Sequence, residues 1–521
     1  MSPVNSNIQA KSDYTGSADE VPENSLLKYP HMRGLSLTFV LMGIMLHTID
    51  SSIANVALPH MQGSLSATVD QISWIITGYI VAAAIGTPPV AWLSARFGIK
   101  KILLTSVSIF TFASVLCGLS LTLEDMVAYR ILQGLSGAAL IPVGQTVVLS
   151  AYKPEEYSKA MGLFGLGIMF GPIIGPTLGG YITEWSNWRW VFFINLPFGM
   201  LATAGIWFFI KDTPARRNQT FDTLGFLSLI VAMGAFQLFM DRGHGKDWFD
   251  SWEIIAWAGL FVGSIYVFIV RTITAKAPFF DRLLYKDWNF VLGNIVFFFL
   301  GGNMVVMMIM VPIVMQTLQG YSVASAGMLL VPRGLGMMLA MTLTPRLTTK
   351  IDPRIVISLG LALTAFATWE QSQMGIYFAA SDFVRTGFIH GMGLGIFFVS
   401  VGAATFSGLP DEMRLQAATF YSMIRNVGQS FCAALAMSAI VRSMQINVAE
   451  LGESINALEK NLQLTISQSA LNYDPTAALA IMQSITTKQA MTIAYINVFY
   501  AVSIMTLLLI PLVWFFRVQQ K

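Results

Sequence analysis

Leu46-His47-Thr48-Ile49-Asp50-Ser51-Ser52-Ile53-Ala54-Asn55-Val56-Ala57-Leu58-Pro59 ends an apolar run that starts near Leu35, and Asp50 is the one acidic or basic side chain in it apart from His47. Crossing a bilayer takes about 20 apolar residues, so the run is long enough to be a membrane-spanning helix. An Asp in the middle of such a helix costs about 2.5–3.5 kcal/mol even on a lenient insertion scale, and a residue kept at that cost is functional by default. His47 precedes Asp50 by about one turn and shares its face. The stretch reads as a span carrying a functional carboxylate.

The rest of the chain follows the same pattern. Of 521 residues, 55% are hydrophobic and only 11% charged, against about 25% charged in a soluble domain. About fourteen apolar runs are long enough to cross a bilayer, from 35–58 to 491–516, and they leave no room for a large soluble domain. The expectation is an all-α integral membrane protein. A net charge of +3 does not suggest nucleic-acid binding. Cys117 and Cys432, the only cysteines, both lie in apolar runs and read as packing residues. No phosphate-binding loop, H-E-x-x-H or G-x-S-x-G motif occurs. Neither an enzyme nor an ATP-driven pump is expected, no catalytic or metal-ligating set is assigned, and no cofactor is implied.

Residues 1–33 are polar and lack the apolar core of a cleavable signal, so they read as a disordered cytoplasmic tail. Basic residues then fall in alternate loops, among them Arg96, Lys100 and Lys101; Lys211, Arg216 and Arg217; and Arg346, Lys350 and Arg354. Loops 59–70 and 314–323 carry no Lys or Arg. Positively charged loops stay on the cytoplasmic side, which places both termini there with an even number of spans. Leu93–Lys100 can be laid over Leu347–Arg354 with basic residues at matching places. Two related halves of this kind, with a site between them near the midplane, build many secondary transporters. Residues 445–490 form a long polar external loop in which Val448, Leu451, Ile455, Leu458, Leu462 and Ile466 recur at helical spacing. That amphipathic helix lies on the membrane, folds back on its own hairpin, or docks a periplasmic partner.

Other charges lie inside spans: Arg130, Arg333, Arg385 and Arg425. Burial disfavours an ionised carboxylate and a nearby guanidinium favours it; a proton carrier needs the two in competition. The alternative role for Asp50 is a fixed counter-ion between helices. His47 and His390 fit either coupling or hydrogen-bonded packing, and Glu370, near a helix end, can reach water. Gly165-Leu-Gly-Ile-Met-Phe-Gly171-Pro172-Ile-Ile-Gly175-Pro176-Thr-Leu-Gly179-Gly180 adds a glycine- and proline-rich seam. Small residues four apart let helix backbones approach closely, and prolines bend a helix, so the seam suits packing or the movement of two halves. The 29 Met and 36 Phe fit either a pliable cavity or ordinary core positions.

These motifs resemble the major facilitator superfamily, in particular the fourteen-span drug:proton antiporters of the EmrB/QacA type, over residues 34–517. Ile49–Pro59 is similar to the first-span motif, whose Asp is implicated in coupling. Tyr129-Arg130-Ile-Leu-Gln133-Gly134 resembles the fourth-span motif, whose Arg is implicated in proton transfer. Gly171, Pro172, Gly175, Pro176 and Gly179 match the antiporter motif, and Trp188–Pro197 resembles the start of span six. Asp241-Arg-Gly243 with Asp247-Trp-Phe249 is similar to the EmrB branch, inner-membrane pumps of three-part export systems. In the gate loop between spans two and three, Arg96, Gly98 and Lys100 match the family, whereas Ala91, Ala95 and Ile99 replace its first Gly, its Asp and its second Arg.

The resemblance implies a major facilitator fold of 14 transmembrane helices. Its six-helix halves would cover 34–211 and 288–517, the latter including the 445–490 loop. Two inserted helices would occupy 212–287, with a short cytoplasmic tail at 518–521. It implies a proton-driven exporter of lipophilic toxic compounds in a bacterial inner membrane. Its partners would be an EmrA-like periplasmic adaptor (a membrane fusion protein) and an outer-membrane channel. Asp50, Arg130 and His47 would couple proton movement. Asn55, Gln133, Asn303, Arg333, His390 and Arg425 would line the substrate cavity. Two other readings stand beside this one: export of a physiological metabolite, siderophore or fatty acid, and a sensor or assembly subunit that transports nothing.

Overall fold

The computed structural model describes residues 22, 25–213, 222–243, 245–246, 248–373, 375, 378–457 and 475–517. Among them the only β-structure is an isolated antiparallel bridge between Leu27 and Ile210, so the all-α expectation holds. The first group of helices is α1 (Arg33–Ser64), α2 (Trp74–Gly86), α3 (Val90–Phe97), α4 (Ile99–Leu119), α5 (Leu123–Gly137), α6 (Leu140–Ser150), α7 (Tyr157–Trp185) and α8 (Asn195–Phe209). A pair follows, α9 (Thr223–Gly243) and α10 (Trp252–Thr274). The second group is α11 (Trp288–Ile313), α12 (Val323–Thr348), α13 (Pro353–Ser372), α14 (Ala380–Phe406), α15 (Arg414–Ala457) and α16 (Pro475–Leu508).

Local chemistry sets many of these boundaries. Thr122, Asp287, Ser322 and Asp352 each accept a backbone N–H from the first turn of the helix they precede, supplying a donor-rich helix start with its missing acceptor. Pro88 and Pro89 interrupt the second apolar run because proline cannot continue a helical hydrogen-bond ladder, and α2 and α3 meet there at 56°. Among the described residues twelve helices are long and apolar enough to cross a membrane, or thirteen if α2 and α3 count as one span. α13 is not among them; it carries Thr364, Thr368, Glu370, Gln371 and Ser372 in its second half.

Inside the first group, α1 packs on α7 through a ladder of glycines four residues apart. A Cβ on Gly167 would lie 2.8 Å from Leu41 Cδ2, on Gly175 2.7 Å from Ser52 Cβ, and on Gly179 2.7 Å from Ile53 Cγ1. On Gly171 it would run into the Thr48 backbone. This four-residue ladder of the glycine-rich seam is thus internal to one group, whereas Gly165 at the start of the seam faces Met341 and Phe398 of the other. The opposite face of α7 meets the second group: a Cβ on Gly162 would sit 2.7 Å from Met341 O, and Ile173 fills the space over Gly334.

The first and last described stretches lie at one face of the bundle, where Leu26 N donates to Ser150 Oγ at 3.3 Å and Trp288 Nε1 to Phe515 O at 2.9 Å. The two groups are closed against each other at this terminal face. Thr348 Oγ1 donates to Ser158 Oγ at 3.0 Å, the Arg414 guanidinium lies 5.3 Å from the Tyr157 ring centre, and the rings of Phe164 and Phe398 stack at 6.2 Å. The tail expected over 1–33 is structured from Ser25 onward: Lys28 N donates to Phe209 O and Lys211 N to Leu26 O, both at 2.8 Å. Residues 1–21 and 518–521 lie outside the described residues.

α15 departs from the expected layout. It runs as one helix of 44 residues, about 66 Å at 1.5 Å per residue, roughly twice the ~30 Å apolar thickness of a bilayer. Val448 and Leu451 belong to it and not to a separate surface helix, and are half-buried; nearby, Asn497 Nδ2 of α16 donates to Ser443 Oγ at 3.2 Å and Asn447 Nδ2 to Ala490 O of α16 at 3.4 Å. The side chains of Ile455, Leu458, Leu462 and Ile466 lie outside the described residues.

Candidate functional site

Asp50, with none of its side chain exposed, is enclosed by three donors from two other helices. Arg130 Nη1 of α5 donates to Asp50 Oδ2 at 2.5 Å. Gln133 Nε2, one turn further along α5, donates to Asp50 Oδ1 at 2.9 Å, as does Asn195 Nδ2 from the start of α8. Gln133 Oε1 in turn accepts from Arg130 Nη1 at 2.8 Å. Asn195 spends its second hydrogen on Ser114 Oγ of α4, 2.9 Å away, and Ser114 donates to Phe192 O. The i, i+3 spacing of Arg130 and Gln133 puts both on one face of α5, so that one carboxylate binds both.

The rest of the guanidinium is enclosed by rings. Its Cζ lies 4.5 Å from the Tyr79 ring centre and 5.5 Å from that of Phe192, a favourable placement for a cation over aromatic faces. Among the described residues, Arg130 Nε and Nη2 have no hydrogen-bond partner. The Tyr79 hydroxyl continues to His47 Nδ1 at 2.7 Å. Gly137 permits this approach, since a Cβ there would stand 2.6 Å from the same nitrogen.

His47 is where the cluster meets open space. A cavity of about 490 Å³ lies between the two groups of helices, away from the closed terminal face. It is lined by His47, Ser51 and Asn55 of α1, Tyr79 of α2, and Arg425 and Gln429 of α15, with a largely apolar remainder rich in Met and Phe. Asp50 is not among the lining residues. It sits one layer behind them, reached through His47, Tyr79 and Arg130.

Of the residues expected to bind substrate, Asn55 and Arg425 line this cavity and Gln133 belongs to the carboxylate cluster. Asn303 and His390 pair with each other elsewhere, His390 Nε2 to Asn303 Oδ1 at 2.9 Å, while Asn303 Nδ2 donates to Thr506 Oγ1 at 2.9 Å. Arg333 donates to Met304 O at 3.1 Å. None of Asn303, Arg333 and His390 is among the lining residues. Arg385 is exposed and paired with Glu370 at 3.1 Å. Gly171, Gly175 and Gly179 form the α1–α7 ladder, Pro172 touches the cavity, and the Pro176 side chain lies outside the described residues.

In the gate loop, Gly98 has φ +97°, a conformation that glycine adopts without penalty. Its neighbour Ile99 donates its N–H to Thr213 Oγ1 at 2.7 Å, Lys100 lies 3.9 Å from Asp212, and Arg96 lies over the Trp92 ring.

Residues 40–433 match the model of the Major Facilitator Superfamily. The chain belongs to this superfamily of membrane transporters. It is 30% identical over 499 residues to the fatty acid resistance protein FarB of Neisseria gonorrhoeae, covering 94% of this chain and 97% of FarB. It is also 30% identical over 500 residues to the multidrug export protein EmrB of Escherichia coli K12, covering 93% and 96%. Two solved structures share the fold at 12% identity. The human organic anion transporter MFSD10 gives a TM-score of 0.63 over 92% of this chain and 99% of its own. The proton:xylose symporter XylE gives 0.59 over 93% and 95%. In this major facilitator chain, Asn195, Ser114 and Tyr79 complete a cluster of which the sequence had singled out Asp50, Arg130, Gln133 and His47. Asn195 had one signal, its place in the motif that opens span six. Ser114 and Tyr79 had none, because a single Ser or Tyr in an apolar helix is ordinary.

Proposed function

We propose that the protein is a proton-coupled exporter of lipophilic compounds, working by alternating access around the central cavity with Asp50 as its proton carrier. The observation that carries this reading is the fully buried Asp50–Arg130–Gln133–Asn195 cluster, set one layer behind the cavity and joined to it through Tyr79 and His47. A buried ion pair gains much of its energy from low dielectric. A proton delivered to Asp50 cancels that charge, loosens Arg130 and so changes the balance of contacts among α1, α5 and α8. That gives proton binding a handle on the conformation of the first group.

In this reading α13 crosses the membrane and completes fourteen spans, with the terminal face in the cytoplasm of a bacterial inner membrane. The cavity then belongs to a state closed towards the cytoplasm. The names of FarB and EmrB support export of fatty acids and drugs, and a periplasmic adaptor with an outer-membrane channel would carry the product onward. The driving force suffices: one proton crossing 100 mV releases about 2.3 kcal/mol, which at 1.4 kcal/mol per tenfold supports a roughly fortyfold gradient. A monocation exchanged for one proton moves no net charge and would draw on the pH difference alone.

A second reading of substrate has its own observation. Arg425 is 9% exposed, lines the cavity, forms no ion pair among the described residues and leaves its Nε without a partner. A buried guanidinium of this kind favours a carboxylate, as a fatty acid would supply. In proteoliposomes with an imposed pH gradient, ethidium or a hydrophobic weak acid should drive proton flux through the wild type but not through Asp50→Asn. Equal flux through both would remove Asp50 from the mechanism.

A further inference from the structure

The helix pair α9–α10 reads from sequence as an insertion between two halves, and nothing in the coupling cluster needs it. In the structure α9 is a wall of the cavity, contributing Gln237, Met240 and Asp241 to its lining. It is tied to both groups of helices. Thr77 Oγ1 of α2 donates to Asp241 Oδ2 at 2.7 Å, and Arg242 lies 4.7 Å from the Trp74 ring centre. On the other side, Ser430 Oγ of α15 donates to Gln237 Oε1 at 2.8 Å, and Trp248 Nε1 to Ser438 Oγ at 3.0 Å.

Asp241 differs from the other anchors because its charge has no partner. The basic residues nearest in sequence, Arg242 and Lys246, both engage Glu253 of α10. Among the described residues Asp241 forms no ion pair, and the hydroxyl of Thr77 satisfies one oxygen only. It is half-buried at the edge of a cavity whose remaining wall here is Met240, Ile80 and Met437. A carboxylate beside apolar surface and shielded from bulk water attracts a cation more strongly than it would in water, and methionines conform to ligands of varied shape.

We propose that α9 supplies a cation-recognition subsite: Asp241 receives the positively charged end of a lipophilic substrate whose apolar body lies against the methionine-rich wall. This rests on the reading of the cavity as a transport site and adds a substrate class to it, lipophilic organic cations. It also gives the inserted helix a role in selectivity, since the oxygen of Asp241 that Thr77 leaves free can take the cation while the bond to Thr77 stays in place.

The test is equilibrium binding to the purified full chain in lipid nanodiscs, with ethidium as the cationic probe and N-phenylnaphthylamine as the uncharged one, both followed by fluorescence. Asp241→Asn keeps the acceptor for Thr77 and removes the charge. It should weaken ethidium binding about tenfold or more, the scale of one lost charge contact. It should leave N-phenylnaphthylamine within about twofold of wild type, which also reports an intact cavity. Asp241→Glu should recover most of the ethidium affinity. Thr77→Val, which removes the hydroxyl and keeps the charge, should leave ethidium binding unreduced. Ethidium binding that is absent in wild type, unchanged in Asp241→Asn, or lowered equally by Asp241→Asn and Thr77→Val would overturn the proposal. Proton flux in proteoliposomes separates this from the export reading. Ethidium that binds through Asp241 without driving flux sinks export by antiport and spares the subsite. Flux that Asp241→Asn leaves unchanged sinks the subsite and spares export.

Discussion

Neutralising the two ends of the buried ion pair, singly and together, separates a carrier from a brace. In wild type, Asp50 accepts from Arg130, Gln133 and Asn195. Asp50→Asn removes the countercharge and leaves Arg130 only neutral acceptors, an amide oxygen at position 50 and Gln133 Oε1, on a guanidinium whose Nε and Nη2 already lack partners. Arginine cannot shed its proton in a protein, so the charge stays buried. Removing one partner of a buried pair costs about 3–5 kcal/mol, a large part of the ~5–15 kcal/mol that holds a typical domain folded. Asp50→Asn combined with Arg130→Gln removes both charges together, so neither is left buried without its counter-ion. Denaturant midpoints in mixed micelles should therefore show the double variant more stable than Asp50→Asn, within about 1 kcal/mol of wild type. Proteoliposomes of the same double variant should show no substrate-driven proton flux. A double variant that is stable and still couples would make the pair a brace and refute the carrier role. A double variant no more stable than Asp50→Asn would refute the energetics.

Three further outcomes follow from the geometry. Gly175→Ala puts a Cβ 2.7 Å from Ser52 Cβ, whereas a Cβ on Gly180 meets nothing within 4 Å; thermal unfolding in detergent should show the first destabilised by about 1–3 kcal/mol and the second unaffected. Ser158→Cys with Thr348→Cys, in a background with Cys117 and Cys432 replaced by Ala, joins the two groups where their hydroxyls lie 3.0 Å apart; oxidation should stop dye export and reductant restore it, and export by the oxidised form would exclude rocking at the terminal face. Arg425→Gln removes an unpaired buried charge, so stability should hold or rise while export of dodecanoate falls; undiminished dodecanoate export would remove Arg425 from the site.

The sequence made the charged part of the site plain and left its neutral part hidden. Asp50 and Arg130 are conspicuous because charge is costly in an apolar helix, and Gln133 because it follows Arg130 by one turn. Asn303, Arg333 and His390 are as conspicuous by the same rule, yet they are turned towards neighbouring helices. Polarity within a span says that a partner exists without saying whether it is a substrate or a side chain. The glycine spacing of α7 correctly signals close approach, but a helix has two faces. Gly167, Gly171, Gly175 and Gly179 meet α1 of the same group, whereas Gly162, Ile173 and their neighbours meet the other group. The length of α15 was hidden for a different reason. Its extension past residue 441 is polar outside and half-buried against α16, a pattern that reads equally well as a separate amphipathic helix.

The second group of helices shows what holding such a bundle together requires. α11 opens that group as α1 opens the first, and its Asn303, like Asp50 of α1, is fully buried. His390 reaches Asn303 from α14 and Thr506 from α16, completing a hub of three neutral or titratable side chains joined by two hydrogen bonds of 2.9 Å. The counterpart in the first group joins α1, α5 and α8 in the same manner, with an ion pair and two amides. Both hubs pin three helices, and both are fully enclosed. A neutral hub does this without the desolvation cost of two buried ions, which amounts to several kcal/mol per ion. Helix pinning alone therefore does not account for the charges on Asp50 and Arg130, since the same fold does the same work without them a few helices away. A proton arriving at Asp50 cancels a buried charge and loosens Arg130, whereas a proton on His390 would create a buried charge where the hub has none. That difference is the physical ground for placing the proton step in the first group.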